Sequence, residues 1–251
     1  MADKEILHKM KEKVGFGSAS SDSGKGKSKM SNHITHGFYL VKGKSFHAME
    51  DYAVAQFKQL GNNELGLFAI FDGHLSHEIP DYLPSHLAYR ITDTEILEKA
   101  ADLGKGGSTA VTAILINCSK LVVANVGDSR AVISKRGVAK QLSVDHEPNV
   151  ERQSIEGRGS FVSRFPGDVP RVDGQLAVSR AFGDKSLKEH LSSEPHVVME
   201  EINDDTELII LASDGLWTVM SNQEAVDLTK NVKDARSAAK VSAEETMGEQ
   251  R

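Results

Sequence analysis

Two apolar runs in this 251-residue chain each end on an aspartate followed by a glycine. The first, over residues 65–71, runs into Asp72, Gly73 and His74; the second, in "TELIILASDGLW", ends at Asp214 and Gly215. A third acidic pair, Glu50 and Asp51 in "HAMEDY", stands at the start of the strand that would pair with the first run. Asp-Gly after a strand is a common hairpin signal, and either pair alone reads as a turn. Here neither is followed by a second alternating strand; helix-like sequence follows each. Carboxylates gathered at the exits of buried strands repel one another and are costly to desolvate, and a hard divalent cation relieves both problems. Oxygen-only ligands, in a chain with a single cysteine, point to Mg²⁺ or Mn²⁺ rather than zinc. A glycine beside the aspartate lets the backbone carbonyl approach a metal. Two such ions about 4 Å apart form a site for hydrolysing phosphate esters, with a bridging water acidified to hydroxide.

Such side chains need strands and helices to deliver them. Residues 1–34 read as a flexible tail, because "GFGSASSDSGKGKSKMSN" is rich in Gly, Ser and Lys with little to bury. Within it "GKGKS" imitates the end of a phosphate-binding loop, but the first glycine of that motif is replaced by Ser21 and no apolar strand precedes it. From Thr35 the texture changes to that of a folded domain over residues 35–251. "THGFYLVKG" predicts a strand, and "DYAVAQFKQL", "GNN" and "ELGLFAIF" predict two strands joined by a turn. Residues 76–106 are helical in part. Pro80 and Pro84 must break or start helices, and the stretch from Ala88 to Gly106 suffices for about one helix of ~27 Å. Four short β-rich runs follow ("GSTAVTAILIN", "KLVVANV", "SRAVISKRG", "VAKQLSV"), as in an antiparallel meander. Residues 145–184 are polar, punctuated by Gly and Pro, and expected to be irregular. After the buried strand "TELIILAS", Ser221 and Glu224 are spaced as a capping box, and the last stretch is helical or frayed. The class is α+β, a four-layer α-β-β-α sandwich of two mainly antiparallel sheets flanked by helices.

Hydrophobic residues make up 39% and charged residues 26%, the balance of a soluble globular protein. A net charge of -6 leaves no basic excess for nucleic acid. The one cysteine, Cys118, excludes a disulfide framework within the chain. No run reaches membrane-spanning length and no signal peptide is visible. A monomer of the cytoplasm or nucleus is expected, with no membrane or nucleic-acid partner.

The motifs "MED", "FDGH", "GGSTAV", "VANVGDSRAV", "DHEP", "GQLAVSRAFGD" and "LASDGLW" occur in that order. In this the chain resembles the type-2C metal-dependent serine/threonine protein phosphatases, from about residue 37 to residue 228, and "SNQEAVDL" and "GDVPRV" are similar to plant members. The resemblance implies hydrolysis of phosphoserine and phosphothreonine in phosphoprotein substrates, with two Mg²⁺ or Mn²⁺ ions. It implies that Asp72 bridges the ions, that the Gly73 carbonyl binds the first and Asp214 the second, and that Glu50 holds a metal-bound water with Asp51 behind it. His74 would be the general acid for the leaving oxygen, a role suited to an imidazole; a histidine capping the next helix is the plainer reading. Asp128 would lie near a weaker third metal, or simply serve the turn. Arg180 and Asp184 read as scaffold.

The chain departs from the family's pattern in four places. Phe46 stands where an arginine would grip phosphate; Lys44 or His47 would have to substitute, without a bidentate fork. Thr218 replaces an aspartate after "DGLW". Only about one helix is expected where the family carries two, which would uncover part of a sheet face. The chain reaches "SAEETMGEQR" without the Asp-Asn pair and final strand, leaving the second ion short of a carboxylate and a sheet edge unpaired. Glu244, Glu245 and Glu249 could replace that carboxylate only by accident. A fold-retaining protein that binds partners or substrates without turnover is therefore the alternative to an enzyme.

Overall fold

The computed structural model describes residues 21–31, 33–42, 49–75, 78–83 and 89–249. Strand β1 (Ser21–Lys27) pairs antiparallel with β2 (Thr35–Val41), from Ser21↔Val41 to Lys27↔Thr35. The expected tail is thus corrected from residue 21 onward. Its glycines, which made it look unstructured, face large partners: a Cβ at Gly24 would lie 2.5 Å from the Phe38 ring, and one at Gly26 would lie 2.5 Å from His36 Nε2. The rings supply the packing that the glycines lack. Past β1 the buried Ser28 hydroxyl donates to the buried Glu64 carboxylate, which also accepts from Lys29 N–H at 2.7 Å.

β3 (Tyr52–Leu60) and β4 (Asn63–His74) form the expected hairpin. The expected meander is also present as β5 (Gly107–Ile116), β6 (Lys120–Val126), β7 (Arg130–Lys135) and β8 (Val138–Gln141). Three two-residue strands follow: β9 (Val162–Ser163), β10 (Arg171–Val172) and β11 (Phe182–Gly183). The chain then adds β12 (His196–Glu201) and β13 (Thr206–Ala212). One sheet has the order β12-β6-β5-β4-β3, with β11 pairing β5; a second has the order β13-β7-β8. All these pairings are antiparallel.

The period of two decides which side chains fill which layer. Val111, Ala113, Leu121 and Val123 of the larger sheet meet Ala131, Ile133, Ile209 and Leu211 of the smaller one between the sheets. On the outer face Ala69, Phe71, Ala110 and Val126 pack against Ile79, Leu83 and Ile96. Those residues come from α1 (Glu78–Tyr82), the residue after it, and α2 (Tyr89–Glu98); α3 (Ala100–Leu103) follows after Lys99. The single helix expected before Gly106 is therefore split in two. Residues 145–184 hold α4 (Arg152–Gly157) and contribute Ile155, Val162 and Val172 to a small core of their own, with Leu187 and Leu191.

Behind the smaller sheet, Ile210 and Ala212 pack on Leu216, Met220 and Ala225. These belong to α5 (Asp214–Trp217), the turn beyond it, and α6 (Asn222–Thr229); α7 (Ala235–Glu249) ends the described chain. The four layers are those expected. On the outer face of the larger sheet, Leu67, Ile114, Val122 and Met199 stand in register across four strands. The first three are only half-buried and Met199 is 80% exposed, so among the described residues no helix covers this end of the face.

Candidate active site

The site forms at one end of the sandwich, where the two sheets present their acidic residues. Strand pairing does not stop at Asp72. It continues through Asp72↔Thr109, Gly73↔Ser108 and His74↔Gly107, and Ser108 Oγ donates to the Asp72 carbonyl at 3.1 Å. Asp72 is thus fixed by a ladder rather than by a hairpin turn. Glu50 and Asp51 immediately precede β3, whose Tyr52 pairs with Phe71. Asp214 is the first residue of α5, directly after Ser213 at the end of β13. Asp128 sits in the turn between β6 and β7. That turn is held by Gly127 N–H donating to Nδ1 of the buried His146 at 3.1 Å and by the Thr109–Ser129 hydroxyl pair at 2.7 Å.

Four of the expected acidic residues interact directly. Asp72 is within hydrogen-bonding reach of both Asp51 and Asp214, and it feels the negative charge of Asp128. Two carboxyls can bond to each other only if one holds a proton, because like charges at contact cannot both ionise. Burial, reinforced by Asp51, Asp214 and Asp128, holds Asp72 well above the usual carboxylate range. Burial pushes Asp51 up to about 6, against a hydrogen bond from Ser213 Oγ at 3.0 Å; the charges of Asp214 and Glu50 add to the rise. Burial and the nearby Asp214 push Asp128 up to about 7. Burial raises Asp214 as well, against its hydrogen bonds with Asp72 and the Gly215 backbone.

No three His, Cys, Asp or Glu side chains among the described residues already surround a common point as ligands. The carboxyls bond one another instead. This donor set fits a hard divalent ion: it is all oxygen, crowded with negative charge, and keeps its protons only because nothing else neutralises it.

His74 faces this cluster and lowers the Asp128 pKa slightly through its charge. Its Nε2 lies 2.9 and 2.8 Å from the two carboxylate oxygens of Asp184. Asp184 was expected to be scaffold; the structure places it on the candidate proton donor. Lys44 and His47 lie outside the described residues. Thr218 donates its hydroxyl to the Asp214 carbonyl at 2.7 Å, a bond that tightens α5. Glu244 pairs with Lys240 on its own helix at 3.5 Å. Sequence reasoning also missed Ser213 as a partner of Asp51. The two are 162 positions apart, and nothing local marks them as neighbours.

A family model described as "Protein phosphatase 2C" matches residues 87–249. "Probable protein phosphatase 2C 39" of Arabidopsis thaliana is 70% identical over 273 residues, covering 98% of this chain and 94% of the relative. "Probable protein phosphatase 2C 62" of Oryza sativa subsp. japonica is 64% identical over 266 residues, covering 96% and 92%. Among solved structures, the serine-threonine phosphatase 2C from Toxoplasma gondii superposes with a TM-score of 0.66 at 22% identity, covering 80% of this chain and 88% of the other. A C. elegans sex determining protein superposes with a TM-score of 0.73 at 21% identity, covering 94% and 62%. The two structures show the shared fold; the family model takes in Asp128 and Asp214, and the plant relatives extend the likeness over nearly the whole chain, including the segment of Asp51, Asp72 and His74 that precedes the matched residues. On these grounds the chain belongs to the protein phosphatase 2C family.

Proposed function

We propose that this chain is a metal-dependent protein phosphatase that removes phosphate from phosphoserine and phosphothreonine of protein substrates, using Mg²⁺ or Mn²⁺. The observation that carries this reading is the cluster of neighbouring carboxyls, Asp51, Asp72, Asp128 and Asp214, beside His74. Asp72, Asp214 and the Gly73 carbonyl would hold the ions. Glu50 and Asp128 would assist, and Asp51 would fix the orientation of Asp72. When bound, such ions supply a water acidified for attack and neutralise charge on the phosphate.

The protein's own groups account for the rest. Without ions the cluster offers a phosphate dianion no positive charge, so substrate binding itself depends on the metal. The leaving oxygen is an alkoxide of high basicity and needs a proton as it departs. His74 would give one. Turnover of a phosphoserine peptide that rises with added Mn²⁺ and vanishes in Asp72→Ala would support the reading. A protein that binds the peptide but never turns it over, at any Mn²⁺ concentration, would overturn it.

A further inference from the structure

We infer that Asp184 is a positioning residue for the proton donor His74, an inference that rests on the reading of His74 as general acid. The two residues are 110 positions apart. Asp184 is 3% exposed, and both of its oxygens lie within 2.9 Å of one nitrogen, His74 Nε2. That nitrogen is thereby committed as an N–H donor to Asp184. Nδ1 is left as the nitrogen that exchanges its proton with substrate, since the bond made by one ring nitrogen sets the role of the other. In the reaction water oxygen bonds to phosphorus, releasing one of its protons to solvent, as the phosphorus–Oγ bond breaks. The Nδ1 proton passes to that Oγ, giving inorganic phosphate and a serine or threonine hydroxyl, and the imidazole, still bonded to Asp184, takes a fresh proton from solvent.

The fold holds Asp184 in place by several independent contacts. Its own N–H donates to the Gly106 carbonyl at 2.9 Å. The preceding Gly183 N–H donates to Asp93 of α2 at 3.0 Å, and the buried Asp93 pairs with Lys188 at 2.8 Å. Gly107 pairs with His74 on one side and with Gly183 on the other, so it lies between donor and positioner. A Cβ at residue 107 would come within 2.0 Å of Asp184 Oδ2. The absent side chain is the space through which the carboxylate reaches the ring.

A buried Asp–His pair that merely anchors two strands would predict something different, and the leaving group separates the cases. Hydrolysis of a phosphoserine peptide needs the proton; hydrolysis of p-nitrophenyl phosphate, with its stable phenolate, does not. In the Mn²⁺-supplemented full chain, Asp184→Asn is expected to lower kcat on the peptide about 10–100-fold with little change in KM. It should lower p-nitrophenyl phosphate turnover far less, and it should cost nothing further when added to His74→Ala. Equal losses on both substrates, or a full additional loss in the His74→Ala background, would overturn the inference. Undiminished peptide turnover in His74→Ala would instead remove the general-acid reading beneath it.

Discussion

Ser213 donates a hydrogen bond from its hydroxyl to Asp51, and Asp51 bonds Asp72. Removing the serine should leave the fold intact and loosen the carboxylate that orients the metal-holding aspartate. Ser213→Ala is therefore expected to weaken Mn²⁺ binding about 10–100-fold, as read by calorimetric titration. His146 acts in the opposite electrostatic sense. Burial, and then the charge of Arg180, lower it to about 4, while an unfolded histidine titrates near ~6.5. Its contribution to stability is complete above the unfolded value and is lost as pH falls towards 4. In His146→Asn the fall of melting temperature between pH 6.5 and 4 should be shallower than in the parent chain. At this scale the sequence was legible where an aspartate and a glycine ended an apolar run, because a buried strand announces what it delivers. It was illegible for Ser213 and Asp184, whose importance comes from neighbours more than a hundred positions away.

Helix α6 begins with a reciprocal cap: Glu224 N–H donates to Ser221 Oγ at 3.3 Å, and Ser221 N–H donates to the Glu224 carboxylate at 2.8 Å. Ser221→Ala should cost about 1 kcal/mol in urea unfolding, with no effect on metal binding, because the cap serves the helix alone. This element could be read from four residues. So could the β3–β4 hairpin, whose apolar runs flank turn residues. Strand β1 could not, because its packing comes from His36 and Phe38 on the partner strand rather than from its own glycines and lysines. The α2–α3 break at Lys99 also escaped detection, since the local pattern suits one continuous helix.

For the whole molecule, the metal-free state carries a penalty that depends on pH. Asp51 holds its proton up to about 6 and Asp128 up to about 7, and Asp72 is raised too, whereas in the unfolded chain each ionises near ~4. The folded state therefore binds protons that the unfolded state releases. These groups favour folding below the ordinary carboxylate range, and that contribution fades as pH rises through 7. In chelator, these groups should lower the melting temperature as pH rises from about 4 to about 7; in excess Mn²⁺, ions replace the protons and that fall should disappear. An unchanged decline with Mn²⁺ present would show that no ion enters the cluster.

The larger sheet contributes Asp72 and the smaller one leads into Asp214, and the bond from Ser213 to Asp51 spans 162 positions of chain. Contacts so remote in sequence close late, because the long loops between them must first be brought together. Dephosphorylation by a refolding sample would thus be the last signal to recover. It would lag the return of β-sheet circular dichroism, and a half-assembled chain would be silent in the assay.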